Sequence, residues 1–340
     1  MNSVSIAALR NTLWYKELFA DVSKTLFVAN MASGKATSCI QIITDLSKSA
    51  GSTVTFGLST KLAGSGVTGD SELEGNEEGI VSYSESLIVD QLRHAVRLTG
   101  RMDEKKVAYN MRADAKEKLR IWWQERIDQE LLDKLCGKTS STFANTPDAP
   151  SANRSVWAGG VSSDGALTAS MTFDTKVIDK AKQMARLSGV KVRPLSMEGD
   201  AYKGKALYYM FVHPYQAANL RNDPVWNQAQ RDANVRGADN PILNGALGVY
   251  NNVVIFEHEG IYAFNGGSGS APIARAVLLG QQAAILAYGS DQRWVEKTFD
   301  YENKTGFSVG RIFGVVKPQF NSEDYGVITV ATAATTLSTA

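Results

Sequence analysis

The sequence has few of the residues that form covalent or metal-held cross-links. Its 340 residues include two cysteines, Cys39 and Cys136, and three histidines. Two cysteines cannot build a disulfide framework, and they fit a reducing compartment. No histidine lies in HxxxH or HxH spacing and neither cysteine has a CxxC partner, which excludes the common zinc signatures. A compact chain of this length buries roughly three quarters of its unfolded surface and needs no such cross-link.

A long apolar run is also missing. No window holds eighteen consecutive apolar residues, and the stretch 271–288 is interrupted by Arg275 and by further polar residues. The amino-terminal stretch has no basic start followed by an apolar segment, so no signal peptide is predicted. We therefore expect a soluble protein that does not span a membrane.

No charge of one sign dominates the chain. The 36 lysines and arginines are balanced by 35 aspartates and glutamates, which leaves a formal net charge of +1. A dedicated nucleic-acid coat needs a large basic excess, so this class is excluded. Hydrophobic residues make up 44% of the chain and charged residues 21%, which is globular rather than disordered composition. The length corresponds to about two domains, or to one large domain with insertions.

A glycine-rich, acidic segment at 51–92 is the unusual part of the chain. Alternating apolar residues predict one strand over 54–58 and a returning strand near 81–83. Between them, 59–79 holds five glycines and only four residues of the hydrophobic set. The pattern predicts a long two-stranded ribbon with a polar, flexible tip. Because such a ribbon is marginal by itself, we expect it to lean on another surface.

A long helix is predicted after the ribbon. Residues 101–136 contain neither glycine nor proline, and apolar residues recur every four positions from Met111 onward. This amphipathic stripe predicts one continuous helix that stops near Gly137 and reaches roughly 50 Å. For the adjacent Trp122 and Trp123, we expect one ring in the core and the other against a neighbouring element.

The second half of the chain mixes helices and strands. Asp174 is predicted to cap a second helix, and Asp223 followed by Pro224 begins another. The run 283–288 is interpreted as a short buried helix. Strands are predicted over 206–212, 248–257, 274–280 and through the β-rich end of the chain. Helices and strands without strict alternation predict the α+β class.

Three short motifs were weighed as chemical sites. Gly64, Gly66 and Gly69 spell GxGxxG, but an acidic, glycine-broken segment follows where a dinucleotide site needs a helix. The adjacent residues 257–259 (Glu-His-Glu) would point to opposite faces of a strand and could not chelate together. The run 266–270 lacks the final glycine of a nucleophile elbow. The sequence therefore predicts no catalytic, cofactor or metal site, and a nucleotide-binding enzyme remains an alternative.

Charge is segregated around the ribbon. Residues 51–92 carry one basic residue against seven acidic ones, whereas 93–120 carry nine basic residues against four acidic ones. Two solvated faces would explain this, but an acidic arm and a basic surface on one molecule also allow a heterologous contact between copies. The predicted assembly interface comprises Lys61, Asp70, Glu72, Glu74, Glu77, Glu78, Arg93, Arg97, Arg101, Lys105 and Lys106.

Long strings of the sequence resemble a known family. They are GSTVTFGLSTKLAGSGVTGDSELEGNEEG from residue 51, VDQLRHAVRLTGRMDEKK from 89, GVYNNVVIFEHEGIYAF from 248 and AVLLGQQAAILAYG from 276. With the tryptophan-bearing helix, these strings resemble the major capsid proteins of tailed bacteriophages. Within that group they are similar to the family typed by the enterobacterial podovirus called N-four.

The resemblance implies a Hong Kong 97-like capsid fold, with its parts interleaved along the chain. The implied parts are an N-terminal arm (1–50), an extended E-loop hairpin (51–100), a peripheral domain with the long spine helix (101–139 and 291–324), an axial domain (140–290), and a carboxy-terminal strand and tail of open placement (325–340). One branch of the fold cross-links subunits through a Lys–Asn bond near the E-loop tip. Lys61 is the only lysine of the ribbon, and no partner asparagine is identified.

The function implied by the resemblance is structural and not enzymatic, with no cofactor. Copies would form the pentamers and hexamers of an icosahedral phage head around double-stranded DNA. Further partners would be portal, scaffold and decoration proteins, with no membrane contact. The protein would lie in the virion capsid, and in the host cytoplasm during assembly. An encapsulin-like nanocompartment shell is the alternative within the same fold, distinguished by an enzyme cargo in place of DNA.

Overall fold

The computed structural model describes residues 31–35, 37–44, 51–106, 110–138, 149–195, 206–232 and 247–334. Most of the predicted N-terminal arm lies outside these residues. The helices are α1 Arg101–Lys106, α2 Met111–Cys136, α3 Thr175–Leu187, α4 Pro214–Arg221 and α5 Pro224–Asp232. The strands are β1 Ala32–Ser33, β2 Ile40–Ile43, β3 Thr53–Ser59, β4 Ser82–Ile88, β5 Asp90–Arg97, β6 Ser155–Trp157, β7 Tyr208–Val212, β8 Gly248–Tyr250, β9 Val253–Glu257, β10 Ala263–Asn265, β11 Pro272–Leu279, β12 Ala284–Tyr288, β13 Arg293–Phe299, β14 Lys304–Val316, β15 Gln319–Phe320, β16 Glu323–Asp324 and β17 Val327–Ala333.

Two mixed sheets form the body of the molecule. The first has seven strands in the order β6-β17-β11-β7-β9-β8, with β10 also paired to β11. The second has six strands in the order β1-β2-β12-β14-β13, with β5 paired to the other side of β14. The carboxy-terminal strand β17 lies inside the seven-stranded sheet, antiparallel to β11 and parallel to β6.

Helix α2 packs against both sheets and connects them. One core cluster contains Leu131 and Leu135 of α2, Phe313 of β14 in the six-stranded sheet, and Val277 and Leu279 of β11 in the seven-stranded sheet. Alternate residues of β11 point to opposite faces, as strand geometry requires. The other face of the seven-stranded sheet packs against α3, α4 and α5 in a second cluster.

The prediction of one continuous helix over 101–136 is wrong, because the helix is interrupted and a second helix begins at Met111. Asn110 has extended backbone angles, with φ −79° and ψ 94°. Its side-chain oxygen accepts hydrogen bonds from the backbone N–H groups of Arg112 (3.1 Å) and Ala113 (3.2 Å). Asparagine at this position caps a new helix instead of continuing an old one. Helix α2 therefore has 26 residues, which is about 39 Å.

The buried stripe and the stop of this helix are confirmed. Ala115, Leu119, Trp123, Ile127 and Leu131 are all buried, whereas Met111, at the start of the stripe, is half-buried. Gly137 ends the helix in the left-handed conformation, with φ 67°, and its N–H donates to the last turn. The tryptophan pair is placed as predicted, because Trp123 is in the core. The ring of Trp122 lies against His94 of β5, with ring centroids 4.3 Å apart.

Two other predictions of secondary structure, for 283–288 and for 248–257, are wrong. The expected helix over 283–288 is instead strand β12, antiparallel to β14 and parallel to β2. A short apolar run covered on both faces does not distinguish a helix from a strand. The expected single strand over 248–257 is two strands, β8 and β9. They are joined by a tight turn in which Asn251 and Asn252 have φ of 45° and 59°, as such hairpins require.

Candidate assembly interface

The base of the ribbon is fixed to the body. Strands β3 and β4 pair in antiparallel register from Thr53 opposite Ile88 to Ser59 opposite Ser82. Leu87 is fully buried against β12 in a small apolar cluster. The ring of Phe56 meets Phe320 edge-on, with centroids 6.1 Å apart. The base of the ribbon is therefore anchored to the body by these contacts. Strands β3 and β4 form the hairpin that the alternation of apolar residues predicts.

Beyond the two strands, the side chains of the ribbon are exposed to solvent. Every residue from 61 to 80 is exposed except Val67, which is half-buried. Leu62, Leu73 and Ile80 are 55%, 61% and 74% exposed. The loop therefore buries little apolar surface against the described part of its own chain. We call residues 60–81 the ribbon tip.

Glu78 stabilises the conformation of the ribbon tip through hydrogen bonds to the backbone. The carboxylate of Glu78 accepts hydrogen bonds from the backbone N–H groups of Ala63 (2.7 Å) and Gly64 (2.6 Å). These two bonds lower the pKa of the Glu78 carboxyl below its usual value. A Cβ at position 64 would lie 2.7 Å from a Glu78 oxygen, so a side chain there would require the Glu78 carboxylate to shift. The amides of the GxGxxG segment therefore hold the chain's own carboxylate, and no helix follows them.

The remaining charges of the tip differ in what they contact. Glu77 accepts a hydrogen bond from the N–H of Gly75 at 2.8 Å, so it also stabilises the loop. Three acidic side chains and the single basic one point to solvent and form no hydrogen bond or ion pair with any described residue. These are Asp70, Glu72, Glu74 and Lys61. The outward charge of the tip is thus carried by fewer carboxylates than the sequence predicts.

The predicted basic partners lie together on β5 and α1, but three of them already have neighbours. The Arg97 guanidinium lies 5.6 Å from the ring centroid of Phe299. Arg101 is 4.0 Å from Glu302, and Lys106 is 3.6 Å from Asp103. The side chains of Arg93 and Lys105 are exposed and form no ion pair within the described ranges.

The basic excess of the following helix is neutralised within the chain. Four cations of α2 each have a carboxylate close by. The pairs are Arg112–Glu104 (3.3 Å), Lys116–Glu296 (2.5 Å), Lys118–Asp114 (2.9 Å) and Arg120–Glu117 (2.5 Å). Exposed pairs contribute about 0–1 kcal/mol each, but they weaken the field that the helix presents to a partner.

No ion pair within the described part of one chain joins the ribbon tip to the basic residues of 93–106. Sequence reasoning missed Phe299 and Glu302, on the β13–β14 hairpin, as neighbours of Arg97 and Arg101. The residues of each contact are about two hundred positions apart in the sequence, so no local sequence pattern predicts them.

The other motifs make ordinary structural contacts. Glu257 pairs with Arg221 at 2.9 Å, and His258 Nδ1 accepts a hydrogen bond from the N–H of Gly260 at 3.0 Å. No group of three or more potential ligands in the described residues could hold a metal ion. Burial raises the pKa of the Cys39 and Cys136 thiols to about 12, so neither is a reactive thiolate at neutral pH.

Known proteins match the chain over nearly its whole length. A family model described as phage capsid protein matches residues 2–336. The major capsid protein of Pseudomonas phage KPP25 is 31% identical over 377 residues, which covers 98% of each chain. The capsid of Ralstonia phage GP4 has a TM-score of 0.82 and 29% identity over 97% of each chain. The Cyanophage Pam1 capsid asymmetric unit has a TM-score of 0.83 and 23% identity over 98% of each chain.

These matches confirm the family resemblance and the α+β, Hong Kong 97-like fold. They favour a phage shell protein over an encapsulin-like compartment. Within the described residues, no helix is both long and apolar enough to cross a membrane. The chain therefore belongs to the phage capsid protein family and is a major capsid protein of a tailed phage, a structural component of the virion shell.

Proposed function

We propose that copies of this chain assemble, through their ribbon tips, into the pentamers and hexamers of an icosahedral head around double-stranded DNA. The observation that carries this proposal is the exposure of the tip, where every residue of 61–80 except the half-buried Val67 is exposed. A segment of this length that buries so little against the described part of its own chain gains stability by contact with another surface.

The contact we propose is heterologous. The ribbon tip of one copy, through Asp70, Glu72 and Glu74, approaches the basic surface on β5 and α1 of a neighbour. Of that surface, Arg93 and Lys105 have no ion pair in the described ranges and are the first partners. Arg97, Arg101 and Lys106 would exchange their present neighbours for the tip. Because each copy supplies both surfaces, the contact repeats around a ring.

The domain assignment is also a proposal. We assign the seven-stranded sheet with α3, α4 and α5 to the axial domain, and the six-stranded sheet with α2 to the peripheral domain. Pairing with β14 supports moving β5 out of the E-loop and β12 out of the axial segment. Pairing with β11 supports adding β17 to the axial domain. The E-loop would then be the hairpin of β3 and β4 with its tip.

A structural role without catalysis completes the proposal. The amides at Ala63 and Gly64 already hold the Glu78 carboxylate, which opposes binding of a pyrophosphate there. Portal, scaffold and decoration proteins are proposed as further partners from the resemblance. Labelled nucleotides should therefore not bind the purified subunit, and binding at the 64–69 segment would favour the enzyme alternative.

Electron microscopy of the purified full-length protein tests the assembly proposal. Closed shells with fivefold and sixfold capsomers are expected, and particles from infected cells should protect double-stranded DNA from nuclease. Monomers at every concentration and ionic strength would contradict the proposal. Shells that contain an enzyme and no DNA would support the nanocompartment alternative.

A further inference from the structure

Helix α3 and the segment after it carry a concentration of positive charge that lies apart from the ribbon's proposed partners. Residues 174–193 hold six basic residues against two acidic ones, in a chain whose net charge is +1. Five of the cations are exposed and form what we call the α3 basic surface. They are Lys176, Lys180, Arg186, Lys191 and Arg193.

The carboxylates near this surface are used by other groups. Asp174 accepts a hydrogen bond from the Val177 N–H at 3.0 Å as the helix cap. Asp179 accepts hydrogen bonds from the Tyr250 hydroxyl (3.2 Å) and the Asn251 side-chain amide (2.7 Å). None of the five cations pairs with a carboxylate in the described part of the chain. The α3 basic surface thus keeps its charge, in contrast to α2.

A buried cation lies beside the same surface. Arg154 is 1% exposed, and its guanidinium donates to the Ser188 hydroxyl at 2.6 Å and to the Val190 carbonyl. Its Nε has no hydrogen-bond partner, and Glu323 is 4.0 Å away. An incompletely compensated guanidinium in a region of low dielectric adds to the positive potential outside it.

A groove of about 640 Å³ runs between the helix and the segment that carries Arg154. Its lining includes Lys180 and Gln183 of α3, and Asn153, whose side-chain amide already donates a hydrogen bond to Glu323 at 2.8 Å. Lysine and amide side chains donate hydrogen bonds to phosphate oxygens. The lining also includes the apolar Leu187 and the acidic Glu323.

We infer that the α3 basic surface binds the phosphate backbone of the double-stranded DNA enclosed by the shell. This inference rests on the proposed function, since it assigns the surface that meets the DNA in that shell. Lys176 and Arg186 are separated along the helix by about 15 Å, and Lys191 and Arg193 follow. A duplex presents a charge about every 1.7 Å of its axis, so an extended row of cations meets several phosphates without reading sequence.

The acidic ribbon tip of a second copy is the competing occupant. It fits less well, because its outward carboxylates Asp70, Glu72 and Glu74 lie within five positions of the chain, whereas the cations of the α3 basic surface are spread over positions 176–193. The two occupants give different results in the tests below.

The test measures binding of a short, mixed-sequence DNA duplex to the full-length subunit by fluorescence anisotropy, over about 50 to 200 mM salt. The change is Lys176→Glu with Lys180→Glu, on one exposed side of the helix. The matched control is Lys118→Glu with Arg120→Glu, which alters net charge equally at cations that are paired. We expect the α3 variant to lose about tenfold in affinity and its salt slope to decrease by about 2. The control should bind like the parent.

Three results would overturn the inference. The first is a parent that does not bind the duplex at any salt concentration, and the second is an equal loss in the control. The third is an α3 variant that fails to form shells without DNA and recovers when Glu72 and Glu74 are changed to lysine, which would assign α3 to the ribbon. Lys176→Gln with Lys180→Gln repeats the measurement without new acidic groups, and circular dichroism checks that each variant is folded.

The assembly readout separates this inference from the proposed function. If the α3 variant forms normal shells and binds DNA like the parent, the inference fails and the assembly proposal stands. If the parent forms no shells, the assembly proposal fails, whatever the DNA-binding measurement shows.

Discussion

At the scale of single residues, leucines in α2 and α3 show how burial decides what a position contributes. Leu131 is fully buried between the two sheets, whereas Leu187 of α3 is 73% exposed. Both residues are leucines in helices, so alanine preserves helix propensity at each site. The difference between the two substitutions therefore reports packing alone.

We expect Leu131→Ala to lower the free energy of unfolding of the unassembled subunit by about 2–5 kcal/mol, because it leaves a cavity in the shared core. Leu187→Ala should change it by less than about 0.5 kcal/mol. Urea denaturation of both variants measures the two values. An equally small effect of both would show that α2 does not bury this stripe.

His213 links stability to pH at the start of α4. Its side chain accepts a hydrogen bond from the N–H of Tyr215, and Gln216 completes a capping box. Burial lowers the pKa of His213 below its usual value, and the charge of Glu257 opposes this shift. Since the folded pKa is the lower one, the contribution to stability is present above about pH 6.5 and is lost as the pH falls.

His213→Asn should remove this part of the pH dependence, because asparagine caps a helix without titrating near neutral pH. The parent should lose stability as the pH falls below about 6.5, and the variant should lose less. Urea denaturation across this range provides the measurement. The control is His94→Asn, at an exposed ring beside Trp122, which should keep the parental decline. An unchanged decline in the His213 variant would contradict this account.

At the scale of elements, periodic patterns predicted the structure well and pattern-free runs did not. The four-residue recurrence after Met111 defines α2, and strict alternation defines β3. Asparagine is a common N-cap, so Asn110 could have indicated the start of a new helix. The prediction of a continuous helix relied instead on the absence of glycine and proline from 101–136. The run 283–288 has no period, because residues 283–287 are buried on both faces of the sheet, and only the fold determines that burial.

The charges of the candidate interface were predictable from the sequence only in part. Composition alone showed that the ribbon tip is acidic and poor in apolar residues. Of the α2 cations, Lys118 and Arg120 pair with carboxylates three or four positions away, whereas the Lys116–Glu296 pair joins residues 180 positions apart. A net charge counted along the sequence therefore overstates the basic surface beside the ribbon and understates that of α3.

The ribbon tip can be removed without touching the body. We expect a variant in which 61–80 is replaced by Asn-Gly to fold, because Thr60 and Val81 are already hydrogen-bonded at 3.0 Å and Asn-Gly closes such a hairpin. The variant should be soluble, unfold at the parental urea midpoint, and form no shells in electron micrographs. Unfolding of the variant would show that the tip belongs to the subunit's own core.

At the scale of the whole molecule, a nearly neutral chain holds surfaces of opposite sign in separate places. The ribbon tip is acidic, β5 and α1 are basic, and α3 is basic on another sheet. Balanced net charge limits repulsion between copies, while local charge sets the orientation in which they meet. We expect assembly to depend on many weak contacts of this kind, each repeated in every copy.

The salt dependence of assembly tests this arrangement. We expect Glu72→Lys with Glu74→Lys to raise the subunit concentration needed for shells, since two attractive contacts become repulsive. These residues are chosen over Glu77 and Glu78, whose carboxylates hold the tip in shape. Exposed pairs are worth about 0–1 kcal/mol each, but a shell repeats them in every subunit. Light scattering across protein concentrations, at several ionic strengths, measures the shift.

The shift should be largest at low salt, because exposed charges are screened beyond roughly 8 Å at physiological ionic strength. Adding Arg93→Glu with Lys105→Glu to the same chain should restore part of the assembly by rebuilding the pairs with reversed sign. Recovery with Lys176→Glu and Lys180→Glu instead would move the docking surface from β5 and α1 to α3. If the tip reversal assembles like the parent at every ionic strength, the ribbon docks through its apolar side chains and backbone, and Leu73 and Ile80 become the residues to change.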